Sequence, residues 1–359
     1  MAGFALDSEV LDPIVNIKVV GVGGGGGNAL NCMVNAGIKD IEYISVNTDA
    51  AALRSSKATV KIQIGAKLTR GRGAGNKPEI GERSAQENRD EIAAALKGAN
   101  MIFITAGMGG GTGTGAAPVV AEVAKEMDIL TVAVVTKPFH FEREQKMQQA
   151  EKGIEELKKH VDSLVVIPNE RLLIGSDKPL TMKESFSLAD NILKTGVKSI
   201  SDLIIEDGFI NLDFADVSSI MKDAGYAHMA IGHGTGKDKA AEAANAVITS
   251  PLLETSISGA NRLLINIVMS EDVLSSDVDT ATKLISDAAA DGVEIIFGTS
   301  FKEDLQDEMN ITVIAAGFDE SKHNVIKIDN PLLNDAGTAN TSFDDGGFED
   351  IFRILDNKR

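Results

Sequence analysis

With 359 residues, the chain is longer than one hydrophobic core ordinarily serves, so two domains with peripheral segments are expected. Its formal net charge of -18 argues against non-specific attraction to nucleic acid or to an anionic lipid surface and leaves local basic patches open. A hydrophobic content of 43% with 4% aromatic residues describes an α/β protein of aliphatic core, and the single Cys32 excludes an intrachain disulfide.

The opening stretch MAGFALDSEVLDPIVNIKVV lacks the basic-then-apolar order of a secretory signal. No run of about 18 apolar residues is present to cross a bilayer. The expected location is the cytoplasm, without direct membrane insertion. Residues 15–22, VNIKVVGV, predict a strand that stops at five glycines, residues 23–27, before NALNCMVNAG takes up helical composition. The pattern reads as strand, tight loop, helix. IEYISVNTD (41–49) is the next strand, close enough for a parallel βαβ unit. MIFIT (101–105) predicts another buried strand, followed by the glycine-rich AGMGGGTGTGAA (106–117) and a helix whose face carries Val119, Val120, Val123, Ala124 and Met127.

LTVAVVT (130–136) and SLVVIPN (163–169) are further apolar strands, separated by a charged helical stretch over 141–160. These elements predict a doubly wound, mostly parallel sheet with helices on both faces, an α/β fold. Over 184–206 the apolar residues Phe186, Ala189, Ile192, Leu193, Val197, Ile200, Leu203 and Ile204 recur at helical spacing, which predicts one long central helix. Beyond it LLINIVM (263–269), VEIIFGTSF (293–301) and ITVIAAGF (311–318) are strands, with a helix in DVDTATKLISDAAAD, forming a second, smaller α/β domain.

The resulting division is an extension (1–12), an N-terminal domain (13–183), the central helix (184–206), a second domain (207–318), a flexible acidic linker (319–347) and a terminal peptide (348–359). The peptide FEDIFRILDNKR is a short apolar island that either docks in a partner's groove or packs on its own domain.

A loop from the carboxyl end of a parallel strand into a helix points backbone N–H groups and a helix dipole at its guest, most often phosphate. Glycine permits close approach and positive φ, while Thr112 and Thr114 add hydroxyl donors. Gly21, Gly23 and Gly26 satisfy the G-x-G-x-x-G of dinucleotide folds, and Asp49 could imitate the ribose-binding acid, so an NAD dehydrogenase stays open. Two such loops suggest instead a nucleoside triphosphate gripped from two sides. No G-x-x-x-x-G-K-S/T is present, and Asn76-Lys77 is followed by Pro78-Glu79, so P-loop chemistry is excluded. Without a cradle lysine, backbone amides, helix N-termini and a bound cation must balance the phosphates. In FINLDFADVSSIM, Asp213 and Asp216 share a face at a helix start; the ordinary reading is that Asp216 caps the helix with Asp213 solvated, which leaves a non-catalytic nucleotide-gated scaffold open.

GGGTGTG (109–115) is similar to the tubulin signature, and residues 13–318 as a whole resemble the FtsZ branch of the tubulin/FtsZ GTPase family. The other matching stretches are GVGGGGGNA (21–29), VNTDAAAL (46–53), LTRGRGAGNKPEIG (68–81), KPFHFE (137–142), ADNIL (189–193), INLDFADV (210–217) and SPLLETSISGA (250–260), in the family's order. The resemblance implies a tubulin-like fold that binds GTP and GDP. It implies phosphate contacts from Gly24, Gly25, Gly26, Gly27, Asn28, Gly111, Thr112 and Gly113, a γ-phosphate-sensing loop at Ala74 and Gly75, and a rim at Asn47 and Thr48. Glu142 would contact ribose, Asn169 the base or sugar, and Lys146 a phosphate. Phe186 and Asp190, i and i+4 on one helix, would stack on the base and accept from guanine N1–H and its 2-amino group, which adenine cannot match.

Asn211, Asp213 and Asp216 would orient and polarise the attacking water, or hold a cation, for a neighbouring subunit's nucleotide. The resemblance further implies Mg2+ as the divalent cation, with a monovalent cation as an option. It implies head-to-tail filaments forming a division ring at midcell, and membrane-tethering and regulatory division proteins as partners of the terminal peptide. Two departures stand out. Arg143-Glu144-Gln145-Lys146 follows the acid where the family commonly has a glycine and an arginine, and the tail lacks Asp-Ile-Pro-x-Phe-Leu-Arg.

Overall fold

The computed structural model describes residues 15–174, 179–205, 208–253, 256–303 and 305–318. The expected extension (1–12), acidic linker (319–347) and terminal peptide (348–359) lie outside them. In chain order the elements are β1 (Ile17–Val22), α1 (Gly23–Asn35), β2 (Ile41–Asn47), α2 (Ala50–Ser55), β3 (Val60–Gln63), α3 (Ala66–Thr69), α4 (Pro78–Glu87), α5 (Arg89–Leu96), β4 (Met101–Gly107), α6 (Thr112–Glu126), β5 (Leu130–Lys137), α7 (Glu144–Lys158), β6 (Ser163–Pro168) and α8 (Met182–Ile205). The second half adds α9 (Phe214–Met221), β7 (Gly225–Thr235), α10 (Lys239–Ile248), β8 (Arg262–Met269), α11 (Ser275–Ala288), β9 (Glu294–Phe301) and β10 (Glu308–Ala316).

One ten-stranded sheet runs through the molecule in the order β3-β2-β1-β4-β5-β6-β7-β10-β8-β9. The strands from β3 to β6 are all parallel, the doubly wound arrangement expected of near-continuous apolar runs that are buried on both faces. α1 packs between the sheet and α8, while α6 lies with α4 and α7 in the other layer. β10 turns antiparallel to both β7 and β8, so the second half is a mixed sheet covered by α10 and α11.

One expectation is corrected, and one strand is new. Residues 23–27 form no loop, because α1 begins at Gly23 itself. Gly23 makes the turn alone at φ 74°, and the next glycines are helical because the sheet presses on them. A Cβ on Gly26 would lie 2.2 Å from the Thr105 carbonyl oxygen, and one on Gly25 would lie 3.1 Å from Gly107 Cα. Packing thus overrides glycine's poor helix propensity. β7 is absent from the expected elements, since GYAHMAIGHGT is poor in β-formers. Its glycines answer to α10: Cβ atoms on Gly232 and Gly234 would sit 2.1 Å from the Ala243 oxygen and 2.0 Å from the Lys239 oxygen. β7 nevertheless joins the halves, pairing Ser163↔Gly225 on one side and Thr235↔Glu308 on the other.

The central helix starts slightly earlier than predicted because Thr181 and Glu184 form its cap: the Thr181 N–H donates to the Glu184 carboxylate (2.7 Å) and the Glu184 N–H to Thr181 Oγ1 (3.3 Å). Farther along, Ser199 fastens it to the second half, through Thr312 Oγ1 at 3.2 Å and through its carbonyl, which accepts from Asn266 Nδ2 at 3.1 Å.

The glycines make a stability prediction. Gly26→Ala forces a methyl onto backbone and costs about 1–3 kcal/mol. Gly27→Ala meets nothing within 4 Å and improves helix propensity by about 0.5–1 kcal/mol. Thermal unfolding should therefore rank Gly27→Ala at or above the parent and Gly26→Ala clearly below it; equal midpoints for the two variants would contradict this account.

Candidate functional site

β1 and β4 are neighbours whose following helices leave on opposite faces, the switch point at which open α/β sheets bind ligands. The two helix starts touch there: a Cβ on Gly23 would lie 2.7 Å from the Gly113 nitrogen. Neither α1 nor α6 has a side-chain N-cap or an acid in its first turn, so no side chain of either start neutralises its positive dipole end. Gly24, Gly27 and Gly110 face open space where a Cβ would meet nothing, and Gly24, Gly25 and Asn28 are exposed. The glycines therefore divide into those fixed by packing and those that leave bare backbone at the surface.

Side walls come from the neighbouring connections. Asn47 and Thr48 are buried at the end of β2; Asn47 Oδ1 accepts from the Asp49 N–H at 3.1 Å, and Thr48 Oγ1 lies 2.7 Å from Thr112 Oγ1. Ala74 is pressed against Gly111, where a Cβ would come within 2.8 Å of the alanine methyl, and Gly75 beside it is exposed at φ 60°. Thr114 is not a cradle donor as expected: it is buried and accepts from the Gly109 N–H at 2.8 Å, closing the loop from within. Asp49, the imagined ribose acid, instead caps α2 by accepting from Ala51 and Ala52 N–H at 2.7 and 3.3 Å. The dehydrogenase reading loses its acid.

A second group gathers beyond the ends of β5 and β6. Glu142 accepts from the Phe139 N–H at 3.1 Å and pairs with Lys146 Nζ at 2.9 Å, so the lysine expected near phosphate meets the ribose candidate instead. The Lys146 backbone lies against Gly109, and Gln149 Nε2 donates to the Asn76 oxygen at 3.5 Å, so α7 ties together the loops that carry Ala74 and Gly111. Phe186 is partly exposed and meets Phe139 edge-on at 5.4 Å and Phe141 at 6.0 Å, while Phe139 and Phe141 stack at 4.9 Å. Sequence reading misses the two partner rings, although their spacing in KPFHFE is the available signal. Asn169 is buried with its Oδ1 unpartnered. Burial also raises the Asp190 carboxyl to about 7. Chemically, this half can stack a planar ring and hydrogen-bond its edge, beside uncapped helix starts whose free N–H groups suit an anion.

The acids stand elsewhere. Asn211 Oδ1 accepts from the Gly208 N–H and closes a turn. Asp213, not Asp216, is the N-cap of α9: it accepts from the Asp216 N–H at 2.8 Å, and the Asp216 carboxylate accepts from the Asp213 N–H at 3.2 Å. The sequence reading reverses these roles, because either acid could start the helix and the register follows from the burial of Leu212, Val217, Ile220 and Met221 in one core. α9 ends where Ser163 Oγ donates to the Met221 oxygen at 2.7 Å, at the amino end of β6 and therefore at the edge remote from the glycine loops. The 24-residue α8, about 36 Å long, separates the aromatic group from this turn.

Comparison with known proteins supports the fold and assigns the family. Residues 16–176 match the GTPase domain of the tubulin/FtsZ family, and residues 225–319 match the C-terminal domain of the FtsZ family. An FtsZ structure from M. jannaschii is 43% identical, covering 84% of this chain and 88% of its own, with a TM-score of 0.80. A tryptophan-to-tyrosine mutant of FtsZ from the same organism gives 42% identity, 85% and 91% coverage and a TM-score of 0.81. CetZ2 from Haloferax volcanii, at 21% identity, 86% and 94% coverage and a TM-score of 0.70, shares the fold. The chain therefore belongs to the FtsZ family of tubulin-like GTPases.

Proposed function

We propose that the chain is a filament-forming GTPase whose reaction centre is completed between two copies, and that its filaments build the division ring at midcell. The observation that carries this reading is the separation of Asn211, Asp213 and Asp216 from the aromatic group and the two glycine-lined helix starts by the length of α8. One copy cannot apply both to the same nucleotide, but a head-to-tail contact can, and such a heterologous contact propagates as a filament. The M. jannaschii relative is described as a dimer, which supports self-association.

In this reading Gly24, Gly25, Gly26, Gly27, Asn28, Gly111, Thr112 and Gly113 hold the phosphates of GTP or GDP by backbone N–H groups and helix dipoles. Ala74 and Gly75 sense the γ-phosphate, with Asn47 and Thr48 as the rim. Phe186 stacks on the base, Asp190 accepts from guanine, Asn169 Oδ1 gains a partner, and Glu142 turns from Lys146 to ribose. Lys146 is then free to approach phosphate as a point charge. Mg2+ would supply the positive charge that no cradle lysine provides, with a monovalent cation as an option. From the next copy, Asp213 and Asp216 orient the attacking water and take up its developing positive charge, while Asn211 holds the turn in place. The terminal peptide (348–359) serves membrane-tethering and regulatory division proteins.

Asp213→Asn separates catalysis from capping, since asparagine caps a helix as well as aspartate does. It should leave thermal stability and nucleotide affinity unchanged and slow turnover by about 10²- to 10⁴-fold. Mixing it with a blocked-cradle variant, Gly27→Trp, should restore activity, because each supplies what the other lacks. No recovery on mixing would count against the shared centre.

Asp190 adds a pH dependence. Guanine needs the ionised carboxylate, so with a carboxyl at about 7 GTP affinity should climb from pH 6 to pH 8 and flatten above. The stability sign is the opposite: burial favours the neutral form, so this group's opposition to folding grows as pH rises from the ordinary carboxylate range through 7. Asp190→Asn should remove that part of the affinity profile, leaving only the nucleotide's own phosphate titration, and should stabilise the free protein above pH 7. Identical profiles in parent and variant would contradict the assignment.

A further inference from the structure

Residues 208–211 are fastened along β9, the edge strand of the sheet. A Cβ on Gly208 would lie 2.5 Å from the Thr299 oxygen, so only glycine lets the backbone close on the strand. The Phe209 N–H donates to Thr299 O at 2.8 Å, and the Thr299 N–H donates to Ile210 O at 3.1 Å. Phe209 is held by backbone on both sides, yet its side chain is 78% exposed. Its ring meets Phe301 at 5.7 Å with an interplanar angle of 64°, and Phe301 and Ile210 are themselves 41% and 39% exposed.

A single exposed apolar residue needs no explanation. Three neighbours on a rigid backbone bridge, close in sequence to Asp213 and its cap, form a pre-organised patch, and a rigid aromatic ring loses little entropy on docking.

The opposite edge carries a fitting counterpart. In a chain of net charge -18, residues 66–77, AKLTRGRGAGNK, hold four cations and no acid. Lys67, Arg70, Arg72 and Lys77 are all exposed, and the loop contains Ala74 and Gly75, which flank the glycine cradle. A guanidinium is the cation best suited to an aromatic face, and its charge also complements Asp213 and Asp216. We propose that Phe209, braced by Phe301, is the anchor on which the arginine loop of a second copy docks through Arg70 and Arg72. The proposal rests on the head-to-tail reading and names the side chains that carry its contact.

The test is the threshold concentration for GTP-induced assembly, followed by light scattering and sedimentation. Phe209→Ala should raise it about tenfold, as loss of an interface anchor does. Fluorescent-GTP affinity and the thermal midpoint should not move, and Phe209→Tyr should restore a threshold near the parent's. Combining Phe209→Ala with Arg70→Ala and Arg72→Ala should raise the threshold no further than the arginine pair alone, because both remove one contact. A Phe209→Ala threshold within about twofold of the parent, or strictly additive effects, overturns the proposal. If activity is still restored by mixing Asp213→Asn with the blocked-cradle variant, that failure belongs to the anchor alone. A parent chain that neither assembles nor shows such recovery overturns both.

Discussion

A parallel sheet has two unlike edges, and that asymmetry governs everything else in this molecule. From β3 to β6 every strand runs in the same direction, so the connections after β1, β2, β4, β5 and β6 open on one edge. There the chain gathers two helix starts bare of capping side chains, an aromatic group and a half-buried carboxyl. The 24-residue α8 then separates this group from Asn211, Asp213 and Asp216. Groups suited to opposite roles are kept apart by geometry, and like charge gives a reason: carboxylates beside the phosphate cradle would oppose binding.

The glycines illustrate how one residue type serves two demands. At Gly26 and Gly113 a side chain would strike carbonyl oxygens of the sheet and its loops, so the absence of Cβ lets the helix starts close on one another. At Gly24, Gly27 and Gly110 there is nothing for a side chain to strike, and packing gives no reason for glycine. Bare backbone at those positions is what an anion approaching a helix N-terminus requires.

Much of this is legible in the amino-acid order. The apolar runs of β1, β4, β5 and β6 could hardly be anything but buried parallel strands, and the glycines after β1 and β4 mark the site edge. What cannot be read depends on distant contacts. β7 looks unlike a strand because α10 lies directly on its glycines, and the helical state of residues 23–27 depends on Thr105 and Gly107, about 80 positions farther along the chain. The exchange of capping roles between Asp213 and Asp216 turns on the burial of Leu212, Val217, Ile220 and Met221 in one core. Lys146 reads as a phosphate contact, but its i,i+4 partner Glu142 is the nearer attraction.

The central claim is that neither edge acts alone, and specific GTPase activity measured across a range of protein concentrations tests it most directly. The account predicts a rate per subunit that is close to zero in dilute solution and climbs as copies meet, at constant fractional saturation with GTP. A rate per subunit that stays constant from dilute monomer to assembled polymer would contradict it.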